Sequence, residues 1–385
     1  MNNSSITFVT GCAISQSNFY LTSNLDSLDT WDLFSKTFIY KHQSNEWVGI
    51  DLDGWKVISV AFFENSGVSS LLALEQDGDL GIFQENKNRL QKIREIDDSK
   101  IQGQFNRIRV IDNLLYVCGD GSQIYVNHND YWRALGIDFS EEVLNIPRTD
   151  ELNMDLELSF DINLYDINGF NSNNIYICGI EKNEGFISYY NGRSWNVIER
   201  ITPSPLYGIT ICPDKENIII SGAYGTLIKG NFKDGFKNLK NISINSTFYS
   251  TAYYKDKLYI ASEDGLYIYA EGIFQLVDAI KDIKGITSIE EKEGILWVLS
   301  YKKLIRFNGE VWERITHPLN DPIDHQFTNN VRGREHCPRS GYWYTTAKKN
   351  SRRFFNQGDI FPDFESDWGD VYWQFDGALL HKPSL

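Results

Sequence analysis

Short runs of alternating apolar and polar residues recur along the whole chain. This alternation predicts half-buried β-strands, because successive side chains of a strand point to opposite faces of its sheet. Gly-containing and Asn-Gly turns separate many of the runs, and these residues supply the positive φ that two-residue hairpin turns require. Aromatic residues make up 14% of the chain and favour strands over helices, so the pattern predicts an all-β protein.

One line of sequence repeats at irregular spacing. Each copy has a strand that ends in a small residue, a tight turn, a second strand and often a closing Trp. The clearest copies are centred on Tyr116, Tyr176, Ile219, Tyr259 and Trp297. Two further copies precede them, one at 70–83 and a looser one at 18–47. A period of roughly 40 to 45 residues with about four strands is the signature of a propeller blade.

The repeat predicts a β-propeller with six or seven blades, of which seven is favoured. Closure of the ring is left open, since either Ile6–Val9 or Val371–Phe375 could complete the last blade. Cys118 and Cys178 hold the same register in neighbouring copies, beside the small Ser221 of the next. This register predicts a tight position on an innermost strand rather than a catalytic pair.

Two segments depart from the repeat. The copy that precedes Tyr176 is longer by about 18 residues, and its acidic extra run at 136–165 predicts a surface loop. That loop is either a solvated insertion or a binding loop. Beyond about residue 320 the repeat stops, and short strand-like pieces with tight turns follow. We therefore predict a propeller over 1–318 and a small C-terminal β-module over 319–385.

The tail carries a recognisable motif. It reads Cys337-Pro-x-Ser-Gly-x-Trp343, then Ser351-Arg-Arg-x-Phe355, then Gly358-Asp-x-x-Pro362 and Trp373-Gln. This run resembles a short module of bacterial proteins encoded near polymorphic toxins and type VI secretion effectors. Several of those proteins are immunity proteins, so the resemblance implies a protein that binds and neutralises a partner toxin. The likeness covers about 45 of the 385 residues.

The same tail supplies the candidate partner-binding residues. Aromatic and Arg side chains dominate the energetics of interfaces, and acidic side chains suit a basic active-site groove. The candidates are Trp343, Tyr344, Arg352, Arg353, Asp359, Asp363, Glu365, Asp367, Trp368 and Asp370. The alternative is that the aromatic residues form the core of the module and the charges its solvated rim.

Charge narrows the choice of partner. The chain has 37 basic and 52 acidic residues, hence a formal charge of −15. Such a surface repels phosphate backbones and anionic membranes, so neither nucleic acid nor membrane is expected as a direct ligand. A basic protein partner is compatible with it. The five Cys form no CxxC, and the first residues show neither a basic segment nor a long apolar run, which predicts a cytoplasmic protein.

No motif for catalysis or metal binding is evident. The blades carry no complete sialidase-type Asp box, and the six His form neither HxH nor HExxH spacing. We therefore predict no catalytic residue, no metal and no cofactor. The favoured hypothesis is a non-catalytic cytoplasmic immunity protein that occludes the active site of a toxin, possibly a basic one. A hydrolase or lyase that uses the central funnel, and a generic protein-interaction scaffold, are the alternatives.

Overall fold

The computed structural model describes residues 5–29, 31–85, 87–94, 103–128, 131–136, 162–239, 244–320, 330–338, 341–345, 347–349, 351–364 and 371–375. Most of the acidic insertion predicted at 136–165 lies outside these ranges. So do Glu365, Asp367, Trp368 and Asp370.

Seven sheets of four consecutive antiparallel strands form the blades, numbered here in chain order. Blade 1 has β1 (Ile6–Ala13), β2 (Asn18–Leu25), β3 (Phe34–Lys41) and β4 (Glu46–Asp53). Blade 2 has β5 (Val57–Asn65), β6 (Val68–Glu75), β7 (Asp79–Gln84) and β8 (Lys87–Lys92). Blade 3 has β9 (Phe105–Ile111), β10 (Leu114–Gly119), β11 (Ile124–His128) and β12 (Tyr131–Ala134). Blade 4 has β13 (Ile162–Asn171), β14 (Asn174–Glu181), β15 (Glu184–Tyr190) and β16 (Trp195–Val197).

The remaining blades repeat the arrangement. Blade 5 has β17 (Leu206–Ile211), β18 (Ile218–Gly222), β19 (Leu227–Asn231) and β20 (Gly235–Asn238). Blade 6 has β21 (Phe248–Tyr254), β22 (Lys257–Ser262), β23 (Gly265–Ala270) and β24 (Ile273–Leu276). A 3-10 turn at Asp278–Ile280 leads into blade 7, with β25 (Ile286–Lys292), β26 (Ile295–Ser300), β27 (Lys303–Phe307) and β28 (Trp312–Thr316).

The chain divides into two compact units. The propeller unit is Phe8–Ser23 with Phe34–Ile315, and the tail unit is formed by the described residues of Met1–Thr7, Asn24–Leu33 and Thr316–Leu385. The boundary predicted at residues 318 and 319 stays a prediction. No helix in the described ranges is both long enough and apolar enough to cross a bilayer.

The core of the propeller unit is divided among the spaces between blades. One apolar cluster, for example, joins Leu266 of blade 6 to Ile289 and Val298 of blade 7. Because neighbouring blades share no sheet, these clusters and the contacts between first strands hold the ring together. Fully burying such an aliphatic side chain stabilises the fold by about 1.5 to 3 kcal/mol.

The ring closes by contact between blades 7 and 1, and both predicted closing strands are wrong. Ile6–Val9 begins blade 1, and Val371–Phe375 contributes to a sheet of the tail unit. The Phe8 N–H donates to the Tyr301 carbonyl at 2.8 Å, and the Ala13 N–H donates to the Glu290 carboxylate at 2.7 Å. The Trp297 indole N–H donates to the Ser15 carbonyl at 3.1 Å.

From blade 2 to blade 7 the first strands are innermost, since each contacts the first strand of the neighbouring blade. Six first strands carry one extra, unpaired residue directly after a buried apolar side chain, which is a β-bulge. The extra residues are Ile58, Asn106, Tyr165, Tyr207, Tyr249 and Thr287. We call the end of the ring where the first strands begin the entry end.

The tail unit contains an eighth four-stranded sheet that is not a simple meander. Its strands are β29 (Asn330–Arg332), β30 (Gly341–Tyr344), β31 (Arg353–Phe355) and β32 (Tyr372–Phe375), in the order β29-β32-β30-β31. Its inner face packs Val331, Cys337, Trp343, Phe355, Phe361, Val371 and Trp373. The Trp373 ring stacks on Phe361 at 5.5 Å between centroids, so aromatic packing dominates this small core.

Candidate partner-binding surfaces

A charged network lies between the innermost strands of the propeller. The Arg109 guanidinium forms two hydrogen bonds with the Asp166 carboxylate, at 3.0 and 2.9 Å, and Arg107 lies 3.4 Å from the same group. Asp166 also accepts the Ile209 N–H at 2.8 Å. One carboxylate thus joins the first strands of blades 3, 4 and 5, which share no backbone ladder.

The protonation of this network agrees with a structural role. Burial alone would raise the pKa of Asp166, but Arg109 and Arg107 outweigh it and hold that pKa below its usual value. Burial raises the pKa of Glu290 on the first strand of blade 7, although the Ala13 N–H and Arg109 oppose the shift. Because Asp166 is ionised and already paired, these groups are engaged in joining blades.

The buried cysteines have thiols of low reactivity. Burial raises the pKa of Cys118 and of Cys178 well above the usual value, so their thiolates are scarce at neutral pH. The predicted register is confirmed, since both pair with the residue that follows the bulge, as Ser221 does. The predicted strand is wrong, because all three lie on the second strand of their blade. The innermost strand is instead the one that carries the bulge.

Three bulges at the entry end carry tyrosines in consecutive blades. The rings of Tyr165 and Tyr207 stack with centroids 5.4 Å apart and planes 29° apart. The Tyr207 and Tyr249 rings follow, with centroids 6.1 Å apart. All three side chains are half-buried. Together with Tyr301 of blade 7 they form a continuous row, which we call the tyrosine arc.

A carboxylate terminates the tyrosine arc. The Glu263 side chain, in the turn after β22, accepts the hydroxyl protons of Tyr249 at 3.1 Å and of Tyr301 at 3.3 Å. Burial, with help from Glu263, raises the pKa of Tyr301 to about 12, and burial raises that of Tyr165 to about 12. These phenols are therefore protonated at neutral pH. Within the described residues no Lys or Arg nitrogen lies within 4 Å of the Glu263 carboxylate.

The predicted tail residues fall in different environments. Trp343 is fully buried in the core of the tail sheet, so its indole has no exposed face. Arg352 is exposed and lies over the Tyr342 ring at 4.1 Å, whereas Arg353 lies over Phe355 at 4.8 Å. The half-buried Tyr344 hydroxyl donates to Gln374 at 2.8 Å. Partner binding by these residues stays a prediction.

The two described acidic candidates of the tail have local partners. The Asp359 carboxylate accepts the Asn356 N–H at 2.7 Å and thereby shapes a turn. Asp363 lies 2.8 Å from the guanidinium of Arg334, which is 83% exposed. Both carboxylates are at the surface, and neither belongs to a cluster that could hold a metal. In the described ranges no group of three His, Cys, Asp or Glu residues is so arranged.

The outer face of the tail sheet exposes aromatic side chains, of which Tyr342 and Tyr372 are not among the candidates taken from the sequence. Tyr342 pairs with Phe354 across β30 and β31, with rings 5.5 Å apart, and Phe354 is 41% exposed. Tyr372 on β32 is 47% exposed. Strand alternation was the available signal, because a buried Trp343 directs Tyr342 and Tyr344 to the opposite face. We call Tyr342, Tyr344, Arg352, Phe354 and Tyr372 the outer tail face.

A further exposed aromatic residue belongs to the tail unit. Trp31, between β2 and β3, is 85% exposed. Its loop is held at one end by Asp26, whose carboxylate accepts the Thr7 hydroxyl proton at 2.6 Å. A tryptophan with so little of its surface covered is a strong candidate for an interface anchor.

Two open grooves lie away from the charged network. They have volumes of about 360 and 310 Å³ and are lined by the outer strands of blades 4 and 5. The larger groove is bordered by Arg200, Phe232 and Phe236. Neither of these two grooves is lined by Arg109, Asp166 or Glu290.

Comparison with known proteins supports the fold. The WD40 propeller domain of Doa1 has a TM-score of 0.55 and 11% identity, covering 79% of this chain and 92% of that one. YCF48 bound to the D1 peptide has a TM-score of 0.55 and 14% identity, over 79% and 92%. Inactive virginiamycin B lyase of Staphylococcus aureus has a TM-score of 0.59 and 11% identity, over 78% and 94%. The predicted all-β propeller is confirmed.

At the level of sequence, no family model matches the chain. One curated relative is the immune protein Tsi7 of Pseudomonas aeruginosa, which is 24% identical over 315 residues. The match covers 80% of this chain and 96% of Tsi7, so it is far longer than the tail motif. The chain is thus a β-propeller protein that is similar to an immunity protein.

Proposed function

We propose that the chain is a non-catalytic immunity protein that binds a bacterial toxin and neutralises it by covering its active site. The observation that carries the proposal is the similarity to Tsi7 over nearly the full length of that protein. The tail motif agrees with it and favours a toxin of the kind found at type VI secretion loci. An immunity protein that meets such a toxin inside the producing cell acts in the cytoplasm.

The charged network supports binding over catalysis. A hydrolase or lyase needs free acid and base groups that converge on a cleft. The Asp166 carboxylate instead accepts hydrogen bonds from Arg109 and from the Ile209 N–H. The likeness to virginiamycin B lyase is at 11% identity and bears on the fold alone.

The outer tail face supplies a surface suited to a protein partner. Its exposed Phe354 pairs with Tyr342, on which Arg352 is stacked, and the exposed Tyr372 lies on the neighbouring strand β32. Aromatic and Arg side chains of this kind carry most of the energy of interfaces, because they bury large areas with few rotatable bonds. Arg353, Asp359 and Asp363 would form the polar rim. Glu365, Asp367, Trp368 and Asp370 complete the set proposed from the sequence.

Growth rescue tests the proposal. The tagged full-length protein is used to isolate a stoichiometric partner from its native lysate, and that partner is expressed alone and with the protein in a second bacterial host. We expect the partner to arrest growth and the protein to restore it, with a one-to-one complex in solution. A partner that does not arrest growth, or an arrest that the protein does not relieve, would contradict the proposal.

Matched variants test the surface. Tyr372→Ala should weaken the complex by at least tenfold, because it removes an exposed anchor. Tyr131→Ala is the control, since Tyr131 is 80% exposed on the outermost strand of blade 3. Isothermal titration calorimetry measures the dissociation constant of each variant for the partner. Equal affinity of both variants would remove the outer tail face from the interface.

A further inference from the structure

The tyrosine arc combines a row of aromatic rings with a carboxylate at one end. Three successive bulges place Tyr165, Tyr207 and Tyr249 at equivalent positions. The Tyr165 and Tyr207 rings stack, and the Tyr249 ring is tilted by 46° against the Tyr207 ring. A bulged residue has no partner residue on the neighbouring strand, so its side chain is directed by the bulge and not by the ladder. The repeat thus places three half-buried aromatic rings in one row at the entry end, with the tilt of Tyr249 separating its plane from that of Tyr207.

The Glu263 carboxylate places a negative charge at one end of this row. Its carboxylate is held by the hydroxyls of Tyr249 and Tyr301, which fixes its position. The nearby Lys284 ammonium donates to the Asp264 carbonyl and not to Glu263. Among the described residues the Glu263 carboxylate therefore accepts two neutral donors and no cation.

Aromatic faces next to a carboxylate select for a cation. The negative face of a Tyr ring attracts an ammonium or guanidinium group within about 6 Å of its centroid. A carboxylate adds a charge-assisted hydrogen bond, which is strongest with the planar guanidinium group. The formal charge of −15 adds a long-range attraction for a basic partner.

We propose that the tyrosine arc and Glu263 form a receptor for an Arg or Lys side chain of the toxin, with the guanidinium or ammonium group between the Tyr207 ring and the Glu263 carboxylate. This site rests on the proposed function for the identity of its partner. It specifies the chemistry that the partner must present, namely one projecting basic side chain.

Variants of the full-length protein test the receptor. The measured quantity is the dissociation constant of each variant for the toxin whose growth arrest the unmodified protein relieves. Glu263→Gln keeps an oxygen that can accept from Tyr249 and Tyr301, yet removes the charge. We expect it to raise the dissociation constant by 10- to 100-fold. Glu216→Gln is the matched control at the opposite end of the ring, in the exposed turn between β17 and β18, and should change it by less than twofold. Equal effects of the two variants would overturn the proposal.

A second pair of variants separates ring stacking from hydrogen bonding. Tyr207→Phe retains the aromatic face and should bind within threefold of the unmodified protein. Tyr207→Leu retains apolar volume but lacks the π face, and should lose at least tenfold. If Phe and Leu weaken binding equally, the ring does not contact a cation and the proposal fails.

A small probe makes the receptor testable without the toxin. The peptide acetyl-Gly-Arg-Gly-amide is titrated into protein with isotope-labelled Tyr rings, with acetyl-Gly-Gln-Gly-amide as the control. We expect saturable, millimolar shifts of the Tyr207 ring signal with the Arg peptide only, and none in Glu263→Gln. Absence of shifts in the unmodified protein would contradict the receptor even if the toxin is neutralised. Shifts without any toxin neutralised would support the receptor and contradict the proposed function.

Discussion

Glu75 shows how one residue can depart from its repeat. In five blades the residue that pairs with the large apolar side chain before the bulge is small, namely Gly119, Gly179, Gly222, Ser262 and Ser300. In blade 2 the same position, opposite Val57, is Glu75. Only 6% of its surface is exposed, and burial raises its pKa to about 7. From the sequence, an acidic residue next to a turn would be expected at the surface, so its burial could not be predicted.

Glu75→Gln should make the protein more stable at alkaline pH. Because the folded pKa lies above the unfolded value of about 4.3, the stabilising contribution of the protonated side chain is full below that value. It is lost as the pH rises through about 7. The advantage of Glu75→Gln in the free energy of unfolding should therefore grow by about 2 kcal/mol between pH 5 and pH 8. Urea denaturation at both pH values measures it, and an advantage independent of pH would contradict it.

At the scale of the element, blades 3 to 7 are each built around one bulge and one small residue opposite its start. The shared register of Cys118, Cys178 and Ser221 could be predicted from the sequence, because hairpin turns of similar length preserve register between copies. The bulge could not be predicted, since an extra residue in one strand looks like any other residue of an alternating run. Because the position of the bulge was unknown, the sequence prediction assigned Cys118 and Cys178 to the innermost strand instead of the second strand.

Gly179→Ala tests how tightly the small position is packed. A Cβ at Gly179 would lie 1.9 Å from the Asn163 carbonyl oxygen and 2.9 Å from the Leu164 Cα, both of which are backbone atoms. We expect a loss of about 2 to 3 kcal/mol in the free energy of unfolding, since the paired strand must shift. Gly136→Ala is the control, because a Cβ there meets nothing within 4 Å. Equal urea midpoints for the two variants would show that the blade adapts.

At the scale of the propeller unit, closure depends on contacts between residues nearly 300 positions apart. Trp297 donates to the Ser15 carbonyl and lies 5.4 Å from the Phe19 ring, while Gln16 accepts from Arg306 at 3.2 Å. No strand is exchanged between the first and last blades. The ring is therefore closed by side-chain packing and a few hydrogen bonds, and this interface differs from the others in having no covalent connection across it.

Trp297→Phe should open the ring at this interface. The variant loses the hydrogen bond to Ser15 and leaves a cavity, which costs about 2 to 4 kcal/mol. Amide hydrogen exchange should accelerate most in β1, β2, β25 and β26, and least in blade 4. Trp312→Phe, in the outer strand of blade 7 where Trp312 stacks on Phe307, is the control. Uniform acceleration in all blades would show that closure is not the weak point.

The net charge makes a prediction for association with the toxin. Complementary charge accelerates encounter, and salt screens it over about 8 Å at physiological ionic strength. If the toxin is basic, its association rate constant should fall at least tenfold between about 25 and 500 mM NaCl, while its dissociation rate constant changes less. Stopped-flow fluorescence measures both. An association rate constant that is unchanged by salt would contradict a basic partner.

Local physics explains which features of the protein can be derived from its sequence. Strand alternation, turn residues and the repeat period are properties of neighbouring residues, so they are sufficient to predict the all-β class, the propeller and the favoured count of seven blades. The acidic charge also follows from composition, whereas a basic partner and the absence of nucleic-acid binding stay predictions.

Tertiary structure decided the features that depend on residues distant in the chain. Alternation assigns Tyr342 and Trp343 to opposite faces but does not say which face is buried, because that depends on what packs against the sheet. Stacking of Tyr165, Tyr207 and Tyr249 arises only when three blades lie side by side around the ring. Trp343 therefore became core, and the tyrosine arc became visible, through contacts that no local pattern contains.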